Sequence, residues 1–411
     1  LRIAFVAPLP EAETGIADYA VEVLAALAPG HEVTAFHGPE AVDPAALPPG
    51  VALRPAAALL ESGADAWDAI YYQLGNGLAH AFLYPLMAAR PGIVVLHDLV
   101  LHHARAQALL DGPAVRAYRA DPGDSALRAA AEAAHAEYAA LLEAVYPGRG
   151  ARLAAVQLGT SGRLLPYAWP LFEDVARAAR GVAVHNAFMA REVAAAAPGV
   201  PVTLVPHPTR REPVEAAAVT ALRSRLGLGA EAFVVGAFGL LSAEKRIATV
   251  ARAVARLRRH RPHARLLLVG PVPDPRRLRA ELAAAGLPEG AAIVTGRVPL
   301  DELATHVEAA DAVAHLRWPT ARETSGALLR VLAQGRPAVI SDLEHLAEIP
   351  VDAVLRADVA DEEGELFRAL LRLCDDVALR ERLGAAAARW CAEALSPAAT
   401  RAGYLSAARA S

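Results

Sequence analysis

Apolar positions along the chain follow two rhythms. Short runs rich in Val, Ile and Leu alternate with longer Ala- and Leu-rich segments whose apolar residues return at helical spacing. That alternation is the pattern of parallel strands joined by crossover helices. In the first half it predicts strands over Ile3–Ala7, His31–Phe36, Ala69–Gln73, Ile93–Leu96, Gly181–Val184 and Val202–Val205, with a helix over Gly15–Ala28. Residues 99 to about 179 read as mostly helical and are too long for one crossover, so they are expected to form a helical insert. Pro206-His207-Pro208, followed by Arg210, Arg211, Glu212 and Pro213, breaks the rhythm and reads as a linker. The alternation then restarts, with strands predicted over Phe233–Gly239, Leu266–Val269, Ala292–Val294, Ala312–Leu316 and Ala338–Ile340. Helices are expected over Lys245–Arg259 and Ser325–Ala333, and from Leu379 onward the chain reads as all helical.

The resulting expectation is an α/β protein of two Rossmann-like, doubly wound domains facing each other across a cleft. Residues 1–208 form the first, 209–390 the second, and a final helix over 391–411 packs back towards the first. A length of 411 residues fits this division, because it exceeds what one hydrophobic core comfortably serves. The formal net charge of -4 argues against a general nucleic-acid binder. Cys374 and Cys391 are the only cysteines. They form no Cys-x-x-Cys pair, which argues against structural zinc and suits a reducing compartment. The first apolar run stops at Pro8, short of a signal-peptide core, and no run is long enough to span a bilayer. The expected address is the cytoplasm, with peripheral contact at the inner face of the membrane allowed.

In doubly wound folds ligands bind at the C-terminal ends of the strands, so the residues there carry the functional reading. Gly15 stands where the first loop enters a helix N-terminus, a place suited to phosphate, or else is an ordinary loop glycine. Val94-Val95-Leu96 runs into His97-Asp98. This polar pair either reaches a ligand, or Asp98 caps the next helix while His97 bonds to backbone. His102 and His103 follow on the helix and complete no metal site. Asn76 and His80, after the third long run, are candidates for an acceptor hydroxyl, with a turn role for Gly75-Asn76 as the alternative.

In the second half Gly239 permits close backbone approach, and Lys245 and Arg246 open the following helix. Two cations at a helix N-terminus oppose the dipole and suggest an anionic ligand, against the alternative of a solvated surface pair. In His315-Leu316-Arg317-Trp318-Pro319-Thr320-Ala321-Arg322-Glu323-Thr324-Ser325-Gly326, a strand feeds a polar loop and then a helix start that offers backbone amides. Glu323 beside them suits a hydroxylated ligand, or is a first-turn Glu favoured by the dipole. Arg105, Arg116 and Arg119 read as a solvated helix face, or as contacts for an anionic lipid or polymer. Arg258-Arg259-His260-Arg261 reads as a basic helix end.

These pieces, in this order and spacing, resemble retaining glycosyltransferases of the GT-B fold and family-4 type over nearly the whole chain. The resemblance rests on Thr14-Gly15-Ile16, Val95-Leu96-His97-Asp98, Gly239-x5-Lys245, Leu268-Val269-Gly270, Gly296-Arg297-Val298-Pro299, Glu323-Thr324-Ser325-Gly326 and Gly335-Arg336-Pro337. It implies that Gly15 packs against donor phosphates, that His97 meets the donor sugar, and that Lys245, assisted by Arg246, neutralises the diphosphate. It further implies that Val298 offers its backbone to the base, that Glu323 binds sugar hydroxyls, and that Thr324, Ser325 and Gly326 supply amides to the β-phosphate. Asp98, Gly239 and Arg330 join the donor-binding set.

Two positions depart from the family. Leu240 stands where an Arg is usual after the glycine of the Gly-x5-Lys motif, and the second Glu of the motif falls on Arg330 or Val331. The implied activity is transfer of a hexose from a UDP- or GDP-linked donor to a glycan, lipid-linked or small-molecule acceptor, with retention of configuration. No cofactor and no metal are expected, in keeping with the lack of an Asp-x-Asp motif. The alternatives are a non-catalytic nucleotide-sugar-binding protein, prompted by the two departures, and a nucleotide-sugar epimerase on the same fold.

Overall fold

The computed structural model describes residues 1–12, 14–158 and 164–411; Glu13 of the first loop and residues 159–163 of the expected helical insert lie outside the described residues. The chain divides into two compact units. The first comprises Leu1–Pro208, Ala321–Thr324 and Pro397–Ser411, and the second Thr209–Thr320 and Ser325–Ser396.

The first unit is built on seven parallel strands. They are β1 (Arg2–Val6), β2 (Glu32–His37), β3 (Val51–Pro55), β4 (Ala69–Leu74), β5 (Ile93–Leu96), β6 (Gly181–Val184) and β7 (Val202–Leu204). Their spatial order is β3-β2-β1-β4-β5-β6-β7, so the winding reverses between β1 and β4. Side chains of a strand alternate between faces. Accordingly Ile3 and Phe5 enter one apolar layer with Leu24, Leu27 and Tyr71, while Ala4 and Val6 enter the other with Leu74, Leu96 and Val184. The helix after β1, Gly15–Leu27, starts at Thr14, whose Oγ1 accepts from Ile16 N and Ala17 N. The helical insert contains His102–Leu110, Pro113–Ala120, Ser125–Val145, Gly150–Leu158, Leu165–Ala168 and Glu173–Ala178. It has a small core of its own around Leu110, Tyr138, Leu142 and Leu153.

The second unit repeats the plan with six parallel strands: β8 (Phe233–Phe238), β9 (Ala264–Val269), β10 (Ala292–Gly296), β11 (Ala312–His315), β12 (Ala338–Ser341) and β13 (Val354–Ala357). Their order is β10-β9-β8-β11-β12-β13, with the reversal between β8 and β11. Two strands escape the periodicity. β3 is an edge strand with no fully buried residue, and β13 has a half-buried centre; each has a short apolar run cut off by an Arg, Arg54 and Arg356. The helix expected from Lys245 begins later. Ala243–Lys245 is a single 3-10 turn, Arg246 takes a left-handed conformation at φ 57°, and the α-helix runs over Ile247–His260. Both thiols, Cys374 and Cys391, are free.

One close approach fixes the geometry at the C-terminal ends of β8 and β9. Gly270 has φ +143°, and a Cβ there would lie 2.0 Å from the Gly239 carbonyl oxygen. Gly239 N in turn donates to Val269 O at 2.9 Å, and Gly270 N to Gly296 O at 2.9 Å. Gly270→Ala is therefore expected to cost about 3 kcal/mol or more, seen as a clear drop in Tm or loss of soluble protein. Gly229→Ala, where a Cβ would meet nothing within 4 Å, should change stability by no more than about 0.5 kcal/mol.

Candidate functional site

In the first unit, register brings three strand ends level. Leu74 pairs with Leu96 and Leu96 with Val184, so the residues that follow, His97 and His185, stand side by side. His97 Nδ1 lies 3.2 Å from His185 Nε2, and His97 Nε2 lies 3.0 Å from Gln73 Oε1. His185 Nδ1 donates to Val205 O at 2.9 Å. The ring of Tyr19, from the helix after β1, packs edge-on against His97, His185 and His207 at centroid distances of 4.6, 5.2 and 4.9 Å. Tyr404 closes the group from the last helix, Pro397–Ala410; its hydroxyl is 2.9 Å from that of Tyr19 and 3.1 Å from Gln73 Oε1.

Burial in this group disfavours the charged forms of His80, His97 and His185. It lowers His80 and His185 to about 4. His97 falls well below its usual range, through burial first and then through His185, His80 and His207. His102, buried in the helical insert, also falls to about 4 through burial. Its Nδ1 donates to Trp169 O, and its Nε2 accepts from the Tyr138 hydroxyl.

The neighbouring candidates are engaged with one another. Asn76 N donates to Asp98 Oδ2 at 2.8 Å, its Oδ1 accepts from Ala104 N at 3.0 Å, and its Nδ2 lies 2.9 Å from His103 Nδ1. Asp98 thus receives the backbone of the β4 loop, while the next helix begins only at His102. His80, buried, donates from Nδ1 to Gln73 O at 2.9 Å. Asn76 and His80 therefore brace the loop after β4. Gly15 does not need its glycine for backbone reasons. Its φ is not positive, and a Cβ would meet nothing within 4 Å. Glu323 and Thr324 belong to the first unit and are half-buried. Asn186 Nδ2 holds their segment, donating to Arg322 O and to Thr324 Oγ1, both at 3.1 Å.

In the second unit the motif pieces meet at the reversal point. The Cβ position of Gly239, at the end of β8, is 3.8 Å from Lys245 Nζ and 3.4 Å from Ala327 Cβ. Ala327 lies in the first turn of the helix Gly326–Ala333, capped by Ser325 through its bond from Leu328 N. Lys245 is buried, and its Nζ stands 3.4 Å from Nε2 of the equally buried His315, the last residue of β11. His315 is held neutral by burial first, then by Lys245, Arg317 and His345. Its Nε2 is thus a lone pair for the ammonium.

Arg246, expected as the second cation, has a carboxylate partner within the second unit. Its Nε donates to Glu362 Oε2 at 2.8 Å, and that carboxylate is buried. Val298 is half-buried two residues after Gly296, and Arg330 is half-buried on the helix Gly326–Ala333. Leu240 is exposed.

Sequence reasoning passed over His185, although Val182-Ala183-Val184-His185-Asn186 carries the same signal as Val94-Val95-Leu96-His97-Asp98. Tyr19 and Tyr404 lie 385 positions apart, and nothing local joins them. Among the described residues no group of three or more His, Cys, Asp or Glu is placed to hold a metal ion, and no helix is long and apolar enough to cross a membrane.

Residues 232–376 match the family model described as Glycosyl transferases group 1. No curated protein matches the chain in sequence. Among solved structures, the chain is similar to HepE of Anabaena in complex with UDP and glucose, at 16% identity and a TM-score of 0.65, over 99% of this chain and 98% of that one. It is similar to the sucrose-phosphate synthase of Thermosynechococcus elongatus at 17% identity and a TM-score of 0.63, over 98% of each chain. It is also similar to WaaG, a glycosyltransferase involved in lipopolysaccharide biosynthesis, at 15% identity and a TM-score of 0.59, over 98% of this chain and 99% of that one. The fold is GT-B, with two Rossmann-like α/β domains.

The buried histidines make stability depend on pH in a defined direction. His80, His102 and His185 titrate near 4 when folded and near 6.5 when unfolded. The unfolded chain therefore binds more protons between those values. Their contribution is complete above about pH 6.5 and is lost as pH falls towards 4, at about 1.4 kcal/mol per histidine per pH unit. Tm measured from pH 7 down to pH 5 is expected to fall steeply, and a flat profile would contradict neutral burial of these rings.

Proposed function

We propose, from the group 1 match of the second unit, that the chain is a glycosyltransferase that moves a hexose from a UDP- or GDP-linked donor to an acceptor with retention of configuration. The observation that carries this reading is the convergence of Gly239, Lys245 and the first turn of Gly326–Ala333 at the reversal between β8 and β11. A diphosphate there would meet an ammonium, a glycine that leaves room for it, and the amides of a helix N-terminus. Each of these stabilises negative charge on the departing nucleoside diphosphate, and none has to reorganise as that charge develops.

The role of the lysine follows from its surroundings. His315 is neutral and accepts, so it holds the ammonium without cancelling its charge. Arg246 is already balanced by Glu362 and is left out of this role. Lys245 supplies the cation, and no metal is assigned. HepE, which shares the fold, is described with UDP and glucose, and this supports a UDP-linked donor for this chain. By the same reading His97 and Glu323 meet the sugar end of the donor, and Gly15 leaves space for close approach. The acceptor falls in the class of glycans, lipid-linked sugars or small hydroxylated molecules.

A thermal-shift panel of UDP-, GDP-, ADP- and dTDP-sugars with their free diphosphates tests the reading. A ligand at one hundred times its Kd should stabilise the wild type by about 2.7 kcal/mol. The shift is expected for a UDP or GDP compound and should be lost in Lys245→Ala, whose unliganded Tm is recorded first. If no nucleotide shifts the wild type, the transferase reading falls.

A further inference from the structure

The polar contacts around His97 have a direction that their proton inventory dictates. Val205 O can only accept, so His185 Nδ1 carries a hydrogen. A neutral His185 then presents a bare Nε2, and His97 Nδ1, 3.2 Å away, must donate to it. A neutral His97 is left with a bare Nε2, which needs a donor at 3.0 Å, where Gln73 places its amide oxygen. With the amide so placed, either two lone pairs face each other or one ring carries a second proton. In the same placement Gln73 Nε2 is buried without a hydrogen-bond partner. The two ends of an amide are told apart by their partners, and here the partners call for the nitrogen. Reversal gives His97 its donor and lets the second N–H reach the Tyr404 hydroxyl, 3.1 Å from the same position. Tyr404 can then donate to Tyr19 at 2.9 Å. The atom left over is a carbonyl oxygen, and an under-satisfied acceptor is more readily tolerated than an orphaned N–H.

We propose that Gln73 turns its amide nitrogen to His97, so that a one-way chain of neutral donors runs from Gln73 through His97 and His185 to Val205 O, and that Gln73 and His185 are positioning residues for His97. The positioning role rests on the reading that His97 meets the donor sugar. Two consequences follow. Both ring nitrogens of His97 are occupied by protein, so the ring is not a general base for the acceptor. What the chain fixes is the place of the His97-Asp98 backbone at the end of β5. The titratable groups facing the ring are His185, His80, His207 and Tyr19, with Tyr404 reached through Gln73.

Long-range proton–nitrogen spectra of the full chain labelled with nitrogen-15 histidine decide the relay without any substitution beyond those used to assign signals. At neutral pH His97 and His185 are expected to show a protonated Nδ1 and a bare Nε2. An Nε2–H tautomer or an imidazolium at either ring overturns the relay. Gln73→Glu keeps the shape but, ionised, cannot donate, so His97 should become an imidazolium with two N–H signals. Gln73→Leu removes the donor to His97 altogether, and calorimetry on it should show UDP-glucose bound roughly tenfold more weakly, with the affinity for UDP unchanged. Unaltered UDP-glucose binding overturns the positioning role. Failure of the wild type to bind either UDP or UDP-glucose would remove the donor reading itself, a result the spectra do not depend on.

Discussion

Parallel hydrogen-bond register decides which side chains of this protein can meet. Because neighbouring strands run the same way, their C-terminal ends come level, and a polar residue just past one end lies beside the polar residue just past the next. The pairing Leu74, Leu96, Val184 sets His97 within hydrogen-bonding reach of both Gln73 and His185, though the three are scattered through more than a hundred residues of sequence. The same rule in the second unit puts Gly239 and His315 at the ends of adjacent strands, with Lys245 near both. A one-residue slip would turn each of these side chains to the other face of its sheet.

The two strand-end groups manage charge in opposite ways. Around His97, burial keeps the rings of His97 and His185 neutral. At Lys245 a buried amine stands beside a buried imidazole. An imidazole lone pair solvates the ammonium but leaves its charge available to an incoming anion. A carboxylate would have spent that charge, as Glu362 does for Arg246.

Much of this was legible in the sequence because it depends on local pattern. The apolar runs of the central strands, the break after Val205, the restart at Phe233 and the glycine at the end of β8 all follow from spacing and composition. Edge strands β3 and β13 were not legible, since Arg54 and Arg356 cut their apolar runs to three residues or fewer within the strand. The left-handed turn at Arg246 was not legible either, because a charged residue gives no local sign of positive φ. Asn76 and His80, read as candidates for an acceptor hydroxyl or for a turn, have partners in the loop after β4 that no local pattern foretells. His185 could have been found by the rule that singled out His97. Tyr404 could not, because its partners are fixed only by the way the last helix returns to the first unit.

That returning helix has a consequence for how the protein is made. Pro397–Ala410 supplies Tyr404, which touches Tyr19, Tyr71 and Gln73, and Thr400, which donates to Pro206 O. These groups leave the ribosome after the whole of the second unit. Throughout synthesis the first unit therefore waits with its tyrosines and Gln73 unclosed while the later unit has its complete sheet to hand. The order of completion runs against the order of translation. A chimera that exchanges the first unit must carry its closing helix along, or it will join one molecule's opening to another's stopper.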